Sequence, residues 1–229
     1  MGLTLDKIVP WGRSYSEYVS MFDLTDADLG LRILGCGDGP AEFNSNLTKN
    51  GGTVVSVDPI YVFDVEQIKG RIAETYATVM SQMLKNQSDF IWETIASVEQ
   101  LGHVRMSAMN AFLADFNVGK DEGRYITGEL PALPFAKATF DIALSSHFLF
   151  LYSDHLSAEF HLQALRNMLR VASEVRVFPV LTLAGSYSPY LAQVTEVLED
   201  NGFAVAIKRV AYEFQRGGNE MMVIKPSIK

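Results

Sequence analysis

Three glycines alternate at Gly35, Gly37 and Gly39 in "ILGCGDGPAEF", and an aspartate, Asp58, follows about 20 positions later in "TVVSVDP". Glycines in a tight turn let the backbone bend sharply and approach a ligand with no Cβ in the way. A carboxylate at the end of the next strand can accept hydrogen bonds from ribose hydroxyls. Together they predict a nucleotide-type site. The strict dinucleotide fingerprint G-x-G-x-x-G fails, because its sixth place is Pro40. The phosphate loop G-x-x-x-x-G-K-[ST] fails for want of a lysine after Gly39.

The elements that must hold this turn are legible around it. "LRIL" and "TVVSV" read as short buried strands. "PAEFNSNLTKN" reads as a helix from Pro40 to the Gly51-Gly52 stop. Strand patterns recur at "DIALSS", "EVRVFPVLTL", "FAVAIKRV" and "EMMVI", with helical patterns at "SAEFHLQALRNMLRVA" and "PYLAQVTEVLED". Alternation of this kind predicts an α/β fold with a doubly wound, mostly parallel sheet. "AYEFQRGGN" is too short for a crossover, so the last two strands are expected to be antiparallel and its "QRGGN" to be a hairpin turn. "SYSEYVSMFDL" predicts an N-terminal helix capped by Ser14. No strand is expected between Tyr61 and Arg124. Residues 62–122 are read as a helical insertion beside the carboxyl edge of the sheet, within one domain spanning 1–229. Its bulky apolar residues, Phe90, Trp92, Met106, Met109 and Phe112, are expected to roof the reacting centre and set the substrate.

Composition narrows the function classes. The chain has 229 residues, 48% hydrophobic and 20% charged, with a net charge of −8. That balance disfavours a general nucleic-acid binder and favours a small-molecule partner. Neither a signal peptide nor a membrane span is legible, so a soluble cytoplasmic protein is expected. A lone cysteine, Cys36, excludes an internal disulfide. The four histidines have no metal-ligand spacing: His155 and His161 are not on one helical face, and His103 stands alone. No metal is expected.

The run "ILGCGDG", "VVSVDP" and "TGELPALPFAKATFDIALSSH" resembles the motifs of class I S-adenosylmethionine-dependent methyltransferases, over roughly Leu31 to Val180. The resemblance implies a Rossmann-like sheet of seven strands with an antiparallel last strand, and S-adenosylmethionine as cofactor. It places Gly35, Gly37 and Gly39 along the methionine and ribose, with Cys36 and Asp38 between them. It puts Asp58, followed by Pro59, on the ribose hydroxyls, and Glu129 with the Leu130 backbone on the adenine. Ser145 or Ser146 would lie under the methionine carboxylate or sulfonium. Two places depart from the family pattern: Ile33 stands where an acid is common, and "RVASEVRVF" replaces a Gly-Gly turn. More loosely, "VPWGRSYSEY", "VRVFP" and "EFQRGGNEM" are similar to bacterial methyltransferases of unassigned substrate.

Methyl transfer from a cationic sulfonium needs mainly alignment, and a base only where the nucleophile carries a proton. His147, Tyr15 and Tyr18 are the candidates for that work. For Tyr15 and Tyr18 the competing reading is simple docking of the first helix. Two alternatives to a methyltransferase stay open: a protein that binds S-adenosylmethionine or its product without catalysis, and an NAD-dependent oxidoreductase. Pro40 and "GELPALPF" speak against the second.

Overall fold

The computed structural model describes residues 9–227. Seven strands form one sheet: β1 (Arg32–Cys36), β2 (Thr53–Asp58), β3 (Tyr125–Thr127), β4 (Phe140–Ser146), β5 (Ala172–Phe178), β6 (Phe203–Arg209) and β7 (Glu220–Pro226). Their order is β3-β2-β1-β4-β5-β7-β6. β7 runs antiparallel to both β5 and β6, and every other pairing is parallel. The expected doubly wound sheet with an antiparallel last strand is therefore present. The order reverses between β1 and β4, and crevices at such switch points take ligands.

Among the described residues seven α-helices cover the sheet: α1 (Tyr15–Met21), α2 (Asp26–Leu29), α3 (Phe43–Lys49), α4 (Val65–Lys85), α5 (Val98–Asp121), α6 (Ala158–Val171) and α7 (Leu191–Asp200). Ser14 caps α1 in a reciprocal capping box with Glu17, as its sequence position predicts. Strand alternation splits the core in two. Leu34 and Cys36 of β1 point into a cluster with α6 and α7, while Ile33 points into one with α1 and α3. α6 passes into β5 at consecutive residues, Val171 and Ala172, so no glycine turn is needed there. Among the described residues no helix is long and apolar enough to cross a membrane.

Three sequence expectations shift. The helix after the glycine turn starts at Phe43 rather than Pro40, because residues 40–42 hold the N-terminal segment instead. The Glu42 N–H donates to the Arg13 carbonyl oxygen at 3.0 Å, and a Cβ on Gly12 would meet the Pro40 carbonyl at 2.0 Å. β5 ends at Phe178, not in "VLTL", since Pro179 offers no N–H to continue the ladder. The segment 62–122 is helical, as expected, but its two long helices differ in role. α5 packs on α3 and β3 and is the crossover from β2 to β3. Its Met109, Phe112 and Phe116 share a core cluster with Tyr61 and Tyr125. α4 and the stretch after it are the added layer.

Candidate active site

A cavity of about 400 Å³ opens at the carboxyl ends of β1, β2 and β4. At one end lie Gly37, Gly39, Asp58, Pro59, Glu129 and Leu130. The turn after β1 uses its glycines unequally. Gly37 and Gly39 have φ of 70° and 55°, where other residues are strained. Space beyond Gly39 is open, with nothing within 4 Å of where a Cβ would stand. Gly35 does not line the cavity. Its missing Cβ makes room for the Asp38 carboxyl, whose Oδ2 would lie 1.7 Å from it.

Asp38 folds back under the turn. Its Oδ2 accepts from the Ser56 hydroxyl at 2.6 Å and its Oδ1 from the Tyr18 hydroxyl at 3.0 Å. Burial pushes its carboxyl up to about 6, against the pull of those two bonds. A carboxylate thus stands under the turn although the place two before Gly35 holds Ile33. Asp58 accepts from the Gly39 N–H at 2.8 Å and the Ile60 N–H at 2.9 Å. It therefore both shapes the turn and lines the cavity. Burial raises its carboxyl to about 6 despite those backbone donors.

At the end of β4, Ser146 and His147 line the cavity. The Ser146 hydroxyl and His147 Nδ1 are 3.0 Å apart. Burial first, then the nearby Arg13 and Arg105, holds the imidazole well below its usual pKa, so it is uncharged at neutral pH. His147 has φ of 52°, and its N–H donates to the Phe178 carbonyl at 2.7 Å, which fixes the ring over Phe178.

Several candidates fall elsewhere. Cys36 is buried in the core cluster behind β1 and does not line the cavity, and burial pushes its thiol well up. Ser145 points away from the cavity by strand alternation, and its hydroxyl is buried with no partner. Tyr15 stacks on Phe43, with ring centroids 5.7 Å apart, and does not line the cavity. Tyr18 does line it, but burial and the adjacent Asp38 push its phenol well above the usual range. It is a hydrogen-bond donor there, not a base. His161 is structural: its Nε2 accepts from the Phe150 N–H at 3.0 Å. Among the described residues no group of acids, histidines and cysteine is arranged to hold a metal.

The other end of the cavity was only partly legible. Val79, Met83 and Phe90 come from α4 and the stretch after it, and Phe90 alone of the five residues expected in the roof lines the cavity. Trp92, Met106, Met109 and Phe112 do not line it. Trp11 and Arg13 come from the N-terminal segment, and Phe214 and Gln215 from the β6–β7 connection. That connection is more than a hairpin turn. Phe214 stacks on Phe90 at 5.0 Å, and its carbonyl receives the Ile91 N–H at 2.8 Å. The signal was faint but present: "VPWGR" and "AYEFQ" place aromatic residues in loops.

Substituting two glycines of the turn separates their roles. Gly35→Ala drives a Cβ into Asp38 and is expected to cost about 1–3 kcal/mol of stability, as overpacking does. Gly39→Ala meets open space, costs only the backbone penalty of roughly 1–2 kcal/mol, and closes the approach to a ligand. Thermal unfolding and ligand titration on both variants check this. Equal stability losses with no difference in binding would contradict it.

No protein-family model matches the chain. It is 30% identical over 226 residues to the uncharacterized protein MJ0045 of Methanocaldococcus jannaschii, covering 97% of this chain and 98% of that one. The chain belongs to that protein's family. Among solved structures, the methyltransferase domain of bacterial CtHen1 superposes with a TM-score of 0.50 at 11% identity, over 92% of this chain and 96% of that one. The fold is that of the class I S-adenosylmethionine-dependent methyltransferases. Magnesium protoporphyrin IX methyltransferase from Synechocystis PCC 6803 gives a TM-score of 0.49 at 14% identity, over 93% and 78% of the two chains.

Proposed function

We propose that this chain is an S-adenosylmethionine-dependent methyltransferase acting on a small-molecule acceptor. The observation that carries the reading is one cavity at the sheet's switch point, bounded by the open Gly39 backbone, the Asp58 carboxylate and Glu129 at one end and an apolar wall at the other. The residues fit the cofactor. Gly37 and Gly39 give backbone access, Asp58 has the chemistry to accept ribose hydroxyls, and Glu129 with the Leu130 backbone lines the same cavity with groups suited to the edge of an adenine. Bound there, S-adenosylmethionine supplies a methyl group made electrophilic by its sulfonium.

The rest is work for this chain's own side chains. The apolar roof excludes water and holds the acceptor in line, and alignment of this kind is worth about 7–11 kcal/mol. Where the acceptor's nucleophile carries a proton, the uncharged His147 is the group placed to take it, at Nε2, with Nδ1 matched to Ser146. A protein that only binds the cofactor would need the same first end of the cavity but no such roof.

S-adenosylhomocysteine is expected to raise the melting temperature. At about 100 times its dissociation constant it should add about 2.7 kcal/mol. NAD should leave the melting temperature unchanged. A shift with NAD alone would overturn the assignment. Methyl transfer from labelled cofactor into a metabolite pool then separates an enzyme from a binding protein.

A further inference from the structure

Among the described residues, Arg13 stands on the cavity wall without a carboxylate of its own. Its Nη1 donates to the Trp11 carbonyl at 2.9 Å, and its Nε is buried with no acceptor. The nearby carboxylate, Glu17, is already taken. Its Oε2 accepts from the Ser14 N–H, the Ser14 hydroxyl and Arg105, and its Oε1 accepts from the Tyr212 hydroxyl. Among the described residues two buried guanidinium groups therefore share one carboxylate, and one positive charge is left over beside the cavity. Burial, then Arg105, lowers the Arg13 guanidinium to about 10, as expected of a cation short of a counterion. None of the other carboxylates on the wall, Asp38, Asp58 and Glu129, pairs with Arg13, whose neighbours there are Trp11, Tyr18, His147 and Tyr152.

We infer that the apolar end takes the methyl acceptor, and that the acceptor is a small, mainly apolar molecule carrying one carboxylate that pairs with Arg13. The inference rests on the methyltransferase reading. A monoanion matches the single excess charge, and a phosphate dianion would leave a net negative charge against apolar walls. The acceptor's reacting atom is a second group, presented at His147. The cofactor's own methionine carboxylate is the same chemistry from another source, and the test separates the two.

Calorimetry on protein saturated with S-adenosylhomocysteine would compare 3-phenylpropionate and octanoate with their primary amides. The acids are expected to bind at least tenfold more tightly. Arg13→Gln should abolish that preference with the S-adenosylhomocysteine affinity kept within about twofold, and Arg13→Lys should retain part of it. Equal binding of acids and amides, or of neither, overturns the inference. So does an Arg13→Gln variant that loses affinity for S-adenosylhomocysteine but not for 5′-methylthioadenosine, which lacks the methionine carboxylate. If Arg13→Gln fails to fold, Arg13→Lys and the acid–amide comparison on the unchanged protein decide. If S-adenosylhomocysteine itself does not bind, the methyltransferase reading falls, and the same comparison on unliganded protein still tests the anion site.

Discussion

Glu17→Ala is expected to lower the unfolding free energy by about 3–5 kcal/mol, the cost of removing one partner from a buried ion pair. For a chain of this size that is a melting temperature lower by roughly 6–20 °C. Glu17 is 8% exposed and Arg105 is fully buried on α5. Their atoms are 2.5 Å apart. Without the carboxylate, Arg13 and Arg105 face each other, and Arg105 already has two nitrogens with no acceptor. Tyr212→Phe removes a single hydrogen bond from the same group and should cost only about 1 kcal/mol. Acid behaviour gives a second readout. Burial alone would raise the Glu17 carboxyl, but Arg105 and then Arg13 draw it down to about 2. Its stabilisation is thus fully present above its ordinary value of 4.5 and is lost as pH falls from there towards 2. The Glu17→Ala variant should lose stability less steeply across that window. Chemical denaturation at several pH values checks both parts, and a loss below about 1 kcal/mol would show that the cluster contributes little.

Asp58→Asn is expected to weaken S-adenosylhomocysteine binding about 10- to 150-fold, the equivalent of about 1.5–3 kcal/mol for charge-assisted hydrogen bonds. The amide keeps the volume but lacks the charge, and its NH₂ meets a backbone N–H at Gly39 or Ile60. Stability of the unliganded protein should change little, because the lost bond is offset by relief of a buried charge. Folded Asp58 titrates near 6, above its ordinary value of 3.8. Between those values the folded state binds more protons than the unfolded one, so this group costs stability as pH rises through the window. Ligand affinity has the opposite trend, because the ionised carboxylate is the acceptor. At pH 5 binding should be about tenfold weaker than at pH 7.5. In the Asn variant the dependence should flatten, leaving what Asp38, which also titrates near 6, contributes. Unchanged affinity at pH 7.5 would return Asp58 to a purely turn-shaping role.

Excising residues 66–118 would not be a clean test of the roof. It would remove Arg105 and the buried face of α5 along with α4. Trimming confined to α4 spares the Arg105–Glu17 pair.

What the chain alone determined was local. Glycine spacing, a capping serine and apolar strand runs act within a few residues, so Gly37, Gly39, Asp58 and six of the seven strands could be read directly, while the three-residue β3 was too short to show a pattern. Burial on a strand is also a local property in outline: alternation already placed Ser145 and Ser146 on opposite sides, though not which side held the cavity. Tertiary structure decided the rest. Asp38 looked like one more turn residue until Gly35 left space for its carboxyl beneath the turn. Tyr15 and Tyr18 share one helical pattern, but only Tyr18 lies over the cavity. Arg13 and Glu17 are near neighbours in the chain, but Arg105 and Tyr212 are far from both, and the charges of the cluster acquire meaning only when folding buries them together. Periodicity carries no information about such long-range pairing. In the low-dielectric interior that pairing sets which charge is spent and which is left to face a ligand.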